Sequence, residues 1–403
     1  MKVSKWTLGL AGLGLVSLPA AGLAEEKMNQ MWTALSSTTI SGYVNTSIHW
    51  NTGTGNGHVP AVSYNTSGKQ DGFNLNAVKL AIEKPLDEAQ WAAGYKAELI
   101  FGDDAMDYLT TLDSGGDSSP AAIKQAYVAL RAPIGNGLDF KLGVFDTIIG
   151  YEVFDGGSNP NYTRSYGFTI EPTTHTGLLA TYQLCKAASV SAGIANTMGP
   201  VINQKADEGG LKAESFKTYM ASLALTAPED WGSLSGSTAY FGVVTGLNPS
   251  TPADQTSWYV GTTVNTPVKN LKVGASYDYL GMTQEFGADE GYANALALYT
   301  SFQATEKMSL HLRGEYAWTD TTLLGDGPAA QVGGNSEVFA LTGTIQYDLW
   351  KNVLSRLEIR WDHLSGDGGQ TGYGGTPAGG GGGGTTGSKR NNVLIAANVI
   401  YKF

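Results

Sequence analysis

Fifteen connections divide the chain beyond residue 37 into segments whose hydrophobicity alternates with a period of two, and these connections come in two kinds that alternate without exception. Pro85–Gln90, Ala132–Gly137, Leu184–Ala187, Ala227–Ser233, Pro267–Asn270, Ala304–Lys307 and Leu349–Asn352 are short. Thr52–Gly72, Gly102–Pro120, Ile148–Thr173, Gly199–Ser215, Leu247–Asp254, Met282–Glu290, Thr321–Asn335 and Ser365–Arg390 are long and rich in Gly, Asn, Asp, Ser and Thr. Period-two segments read as strands. Strict alternation puts every long connection at one end of the strands and both chain termini at the other. A soluble sandwich has no reason for such one-sidedness. An all-β transmembrane barrel of about sixteen antiparallel strands does, with short periplasmic turns and long external loops.

The last segment, Asn391–Phe403, shows how the sheet ends. Val393, Ile395, Ala397, Val399, Tyr401 and Phe403 share one face, and Leu394, Ala396, Asn398, Ile400 and Lys402 share the other. About 9–11 such residues cross a membrane when tilted. No later hairpin covers this strand's edge, so it is expected to pair with the segment near Thr38–Asn51 and close the ring.

Four segments assign the two faces. In Trp91–Phe101, Tyr95, Ala97, Leu99 and Phe101 oppose Lys96 and Glu98. In Leu138–Phe145, Leu138, Phe140, Leu142 and Val144 oppose Asp139 and Lys141. Leu310, Leu312, Tyr316 and Trp318 oppose His311, Arg313 and Glu315, and Val353, Leu357, Ile359 and Trp361 oppose Arg356, Glu358, Arg360 and Asp362. A charge facing lipid near the midplane costs about 2–4 kcal/mol, so four on one strand face must line a wet interior. Lys79, Lys96, Glu98, Arg131, Lys141, Arg313, Glu315, Arg356, Glu358 and Arg360 are therefore the expected pore-lining residues. Trp50, Trp91, Trp231, Trp350, Trp361 and Tyr401 lie near segment ends, as interfacial girdles require.

Composition agrees. The chain carries 54 Gly and 20 Tyr, and only 15% of its residues are charged. Mean hydropathy is nevertheless slightly negative, because half of each barrel strand faces water. At the N-terminus, Lys2 and Lys5 precede the apolar run Trp6–Leu18, and Gly22 and Ala24 supply a cleavage site, which reads as a secretory signal over residues 1–24. Residues 25–37 read as a periplasmic leader and 38–403 as the barrel. The net charge of −11 becomes more negative on cleavage and argues against nucleic acid. Cys185 stands alone, so no internal disulfide forms. The five His are scattered, no EF-hand spacing is present, and no GxSxG occurs. No metal, cofactor or catalysis is expected.

The third long connection, Ile148–Thr173, carries Tyr151, Phe154, Tyr162, Tyr166 and Phe168 with Glu152, Asp155, Arg164 and Glu171. Five aromatics need a surface to pack on, and the inner wall is the nearest. The loop is expected to fold inward and narrow the pore, with Glu152, Asp155 and Glu171 opposed to the basic wall so that a transverse field filters solutes. The alternative places this loop over the mouth or against a neighbouring subunit. Residues 365–390, with six consecutive Gly from Gly379, read as a mobile external loop with no chemistry.

The stretches GYEVFDGGSNPNYTRSYGFTIEPTTHTG and FNLNAVKLAIEKPLDEAQWAAGYKAELIFGDDA, with KQAYVAL and LDFKLGVFDT, resemble the OmpL-like outer-membrane β-barrel porins. The resemblance implies a channel-forming protein of the bacterial outer membrane and carries no site residues over. The function expected is a passive diffusion channel for ions and small hydrophilic solutes. The partners expected are membrane lipid and lipopolysaccharide, the barrel-assembly machinery that reads Phe403, and two further copies in a homotrimer. The alternatives are a plugged structural or adhesive barrel with ligand-binding loops, and a soluble carbohydrate-binding β-protein.

Overall fold

The computed structural model describes residues 38–53, 55–106, 108, 110, 120–205, 216–247, 254–283, 290–320, 336–365, 372–376 and 385–403. The expected signal segment, the leader and all or part of seven long connections lie outside them. Sixteen strands form one closed antiparallel ring. They are β1 (Thr39–Asn51), β2 (Gly72–Lys84), β3 (Ala93–Phe101), β4 (Ala121–Ala132), β5 (Leu138–Asp146), β6 (Thr174–Cys185), β7 (Ala188–Ala195) and β8 (Thr218–Thr226). Then follow β9 (Thr238–Leu247), β10 (Asp254–Asn265), β11 (Leu271–Met282), β12 (Gly291–Gln303), β13 (Met308–Thr319), β14 (Ser336–Tyr347) and β15 (Val353–Leu364). Within the last long connection, β16 (Gly372–Thr376) and β17 (Thr385–Gly387) make a separate hairpin, and β18 (Asn391–Lys402) returns to the ring. The long connections are numbered L1 to L8 in chain order.

Each strand pairs with its sequence neighbour, and β18 joins β1 to β15 in the register Tyr43↔Lys402 to Asn51↔Leu394. The closure expected of the terminal segment is therefore present. At the seam, Gly42 and Phe403 exchange backbone hydrogen bonds of 3.0 Å in both directions. A Cβ on Gly42 would collide with the Lys79 carbonyl and the Phe403 ring, so the end of the chain fits only against glycine. Ring closure leaves no open edge for other chains to extend.

The two faces sort as the alternation requires. On β15, Leu357, Ile359 and Trp361 are exposed on the outside, while Arg356, Glu358, Arg360 and Asp362 are buried inside. On β13, Leu310 and Leu312 are outward and Arg313 and Glu315 inward. On β3, Tyr95, Leu99 and Phe101 are outward and Lys96 and Glu98 inward. Val144, assigned to the outer face with Leu142, is buried.

Two short helices lie in the loops: α1 (Asp103–Met106) in L2 and α2 (Tyr166–Ile170) in L3. Ser165 caps α2 by accepting a hydrogen bond from the Phe168 N–H at 3.1 Å, which satisfies one of the free donors at the helix start. No helix among the described residues is long and apolar enough to cross a membrane.

Candidate functional site: the inward third loop

L3 lies inside the barrel. Every one of its five aromatics has found a surface. Tyr151 stacks on Tyr299 of β12 at 4.0 Å, and Tyr162 meets His49 of β1 edge-on at 5.4 Å. Phe154 packs between Tyr64 of L1 and Tyr108 of L2. Phe168 faces Tyr64 at 6.0 Å, and the Tyr166 hydroxyl donates to Asp362 of β15 at 2.9 Å.

The wall charges hold the loop backbone. Arg313 Nη1 donates to Glu152 Oε1 at 2.8 Å and to the Thr163 carbonyl at 2.7 Å, while its Nε donates to Glu315 at 2.6 Å. Glu358 accepts from the Tyr162 N–H at 2.6 Å and the Thr163 N–H at 2.9 Å. Glu315 accepts from the Tyr166 N–H at 2.8 Å. Arg356 donates to the carbonyls of Gly156, Asn159 and Asn161, and Arg360 to that of Arg164 at 2.6 Å. An irregular loop inside a barrel has many backbone groups without a strand partner, and leaving each buried and unpaired costs about 1–3 kcal/mol. The wall supplies those partners.

This corrects the expected lining. Arg313, Glu315, Arg356, Glu358 and Arg360 are buried where L3 covers them, and Arg313 and Arg360 are 0% exposed. The opposed charges expected to face each other across a gap are instead in contact, Glu152 on Arg313 and Asp155 on Lys79 at 2.5 Å. Their field is spent within ion pairs. Arg164 is turned into the loop, where it sits over the rings of Tyr64 and Phe168 and donates to the Phe154 carbonyl. Arg131 pairs with Asp139 at 2.6 Å and reaches the Asp87 carbonyl of the first short turn, so it belongs to the rim. Lys141 lies over the Tyr127 ring at 4.7 Å.

The neighbouring loops lock onto L3. Lys69 of L1 pairs with Asp104 of α1 and, at 3.3 Å, with Asp103. Those two acids thus share a lysine partner. The Ser63 N–H of L1 donates to Thr169 of α2 at 2.9 Å. The Gly-rich L8, expected to be mobile outside, sends its β16–β17 hairpin inward. Tyr373 is buried in a cluster with Val62, Tyr166 and Ile170, and Gly374 bridges to His58. One buried aromatic outweighs the surrounding glycines, because it carries most of the apolar area that segment can offer.

Two of the cavities beside L3, among the described residues, bear on passage. The larger, of about 760 Å³, lies between the loop and the wall and is bordered by Lys96, Glu98, Lys124, Asp155, Lys272 and Lys402. The smaller, of about 60 Å³, is bordered by Tyr108, Ile148, Ile149, Glu152, Phe168 and Glu171. Both are bordered by Asp146, Gly150, Val153, Tyr240 and Tyr259. Those five residues, from L3 and from β5, β9 and β10, are a border that the two spaces share. Gly150 sits at φ +118° with the Glu171 carboxyl against its Cα, where any Cβ would collide. Burial, and then the Asp278 carboxyl facing it, hold Glu171 well above the usual carboxylate range. Asp155 is held below it: burial opposes the charge, but Lys79 and Lys124 outweigh that cost.

Sequence reasoning missed Lys124, Asp146, Tyr240, Tyr259, Lys272 and Lys402. Lys124 was hidden by a β-bulge: Glu98 pairs with Gln125 but Leu99 with Ile123, so Lys124 is the extra residue and alternation fails there. Lys272 and Lys402 obey alternation and were legible on the inner face.

The family profile described as "Putative beta-barrel porin-2, OmpL-like" matches residues 37–403. The chain belongs to this porin family. It is an outer-membrane porin channel, and its place is the bacterial outer membrane. Several solved structures share the fold at low identity. The anion-selective porin of Comamonas acidovorans is 13% identical with a TM-score of 0.56, covering 91% of this chain and 99% of that one. OmpT of Vibrio cholerae, in its trimer form, is 15% identical with a TM-score of 0.54 over the same shares. The DcaP channel of Acinetobacter baumannii is 14% identical with a TM-score of 0.54, covering 94% of this chain and 100% of that one. No curated protein sequence matches the chain.

Proposed function

We propose that this porin is a passive diffusion pore for ions and small hydrophilic solutes, with its narrowest pass between L3 and the wall formed by β5, β9 and β10. The observation that carries this is the set of five residues common to both cavities, Asp146, Gly150, Val153, Tyr240 and Tyr259. Four of them present backbone or uncharged side chains. The one charge, Asp146, is paired with Lys124 at 2.6 Å. The pass therefore sorts chiefly by size, and charge acts below it.

Glu152, Arg164, Arg313, Arg356 and Arg360 set the loop's position rather than touching solute. No bond is made or broken, so the protein is not an enzyme. A secretory signal over residues 1–24 and a leader over 25–37 deliver it, and the barrel-assembly machinery reads Phe403 at the seam. Lipopolysaccharide surrounds the outer leaflet. A homotrimer is the assembly we favour, as in the trimer form of OmpT among its structural neighbours.

Swelling of liposomes in neutral sugars of increasing size tests the pass. Entry falls with sugar size in the native protein, and Val153→Trp shifts the cutoff to smaller sugars. If native protein admits no sugar while Gly156–Ser165 deletion does, the barrel is plugged, and the adhesive reading takes its place. If Val153→Trp leaves the cutoff unchanged, the pass lies elsewhere.

A further inference from the structure

We propose that the lumen beneath L3 favours anionic solutes, through Lys272 and Lys402. The inference rests on the pore reading above and adds the charge of what passes.

Among the described residues, the charges sealed under L3 and those on the β2–β5 side of the large cavity fall into balanced groups, and two lysines bordering that cavity stand outside them. Under L3, Arg164, Arg313, Arg356 and Arg360 are matched by Glu152, Glu315, Glu358 and Asp362, and the wall arginines of this group are fully covered. On the β2–β5 side, Lys79 lies 3.2 Å from Glu98, Lys96 3.1 Å from it, and Lys124 3.4 Å. Asp155 and Asp146 take up Lys79 and Lys124, and Glu83 lies 3.6 Å from Lys96. With Lys141 included, four lysines meet four carboxylates. A passing ion sees that side of the wall as nearly neutral beyond a few ångströms.

Lys272 and Lys402 border the large cavity and have no ion pair among the described residues. Lys402 Nζ donates to the Gly157 carbonyl at 2.9 Å, a neutral acceptor that fixes its position without neutralising its charge. Lys272 stands on β11, eight places round a ring of sixteen from β3, and thus faces the balanced network across the lumen. The acid pair without a lysine or arginine, Glu171 and Asp278, does not border the large cavity. Burial works against that pair carrying two charges. The residual field in the open space is therefore positive, and a carboxylate, phosphate or halide ion is drawn into it while a cation of equal size is opposed.

The test is the reversal potential of purified, refolded protein in a planar bilayer under a KCl gradient. The expected result is a potential set by chloride in the native pore. In the Lys272→Gln/Lys402→Gln variant, the chloride-to-potassium permeability ratio falls about two- to threefold. That is the factor for unit charges passed at several ångströms in screened water. Lys272→Gln alone, on an interior strand away from the seam, gives a smaller fall in the same direction and guards against a folding defect at Lys402. Potassium selectivity in the native pore, or an unchanged ratio in Lys272→Gln, overturns the inference and leaves the pore reading standing. Absence of current from a folded barrel overturns both.

Discussion

Arg313 Nη1 of β13 lies 2.8 Å from Glu152 Oε1 of L3, a contact across 161 positions of sequence that ties the loop to the barrel wall. The same guanidinium holds Glu315 and the Thr163 carbonyl and is entirely enclosed. A buried cation with several fixed acceptors is a strong positional constraint, because removing it leaves Glu152 without its ion-pair partner and Glu315 with only Arg360 at 3.8 Å.

Arg313→Gln should therefore cost about 3–5 kcal/mol, the usual penalty for breaking a buried ion pair on one side. Glu152→Gln should cost less, since Arg313 keeps Glu315 and the Thr163 carbonyl. Urea or guanidinium unfolding midpoints of the refolded barrels order the two. Equal midpoints for Arg313→Gln and native protein would remove the anchoring role.

Gly42→Val should block ring closure. The new side chain meets the Lys79 carbonyl and the Phe403 ring at the seam, where β1 and β18 pair. The expected result is loss of the heat-modifiable folded band on a gel after refolding, with Phe403→Ala milder because it removes the ring and keeps the backbone exchange. A normal folded fraction in Gly42→Val would contradict this seam.

Glu171 makes the loop sensitive to alkali. Its carboxyl is buried, Asp278 faces it from β11, and Glu152 adds a further negative charge. A carboxyl raised in the folded state binds its proton more tightly there than when unfolded. Stability is therefore lost as pH rises from the unfolded value, near 4.5, up to the raised folded one. Current noise from L3 movement should increase with pH across that window and lose much of its pH dependence in Glu171→Gln. Identical pH profiles for the two proteins would reject the assignment.

Tyr240→Ala should widen the pass, because that ring borders both cavities. Single-channel conductance rises while the ion pairs that anchor L3 stay in place. Unchanged conductance would move the narrowest point away from β9.

The ring itself was legible because lipid forces it. The inner and outer sets of β15, Arg356, Glu358, Arg360 and Asp362 against Leu357, Ile359 and Trp361, need no tertiary information. Neither does the long-and-short alternation, nor the closure of β18 on β1. The inward course of L3 was legible from its aromatics. What each inner charge does was not. A period of two gives a face, but neither a depth nor a partner, so Arg313 and Lys96 look alike although one is sealed under L3 and the other borders the large cavity. Tyr373 shows the opposite error: composition described the loop over residues 365–390 and concealed the one residue that packs. Lys124 lay beyond any periodic reading, since a bulge turns it inward.

Single-channel recording of the purified, refolded protein, shown by heat-shifted mobility to be a folded barrel, tests the account most directly. Steady ohmic current steps are expected in the native protein and larger steps in Tyr240→Ala. Silence from a folded native barrel would contradict it and leave a wall whose interior L3 closes.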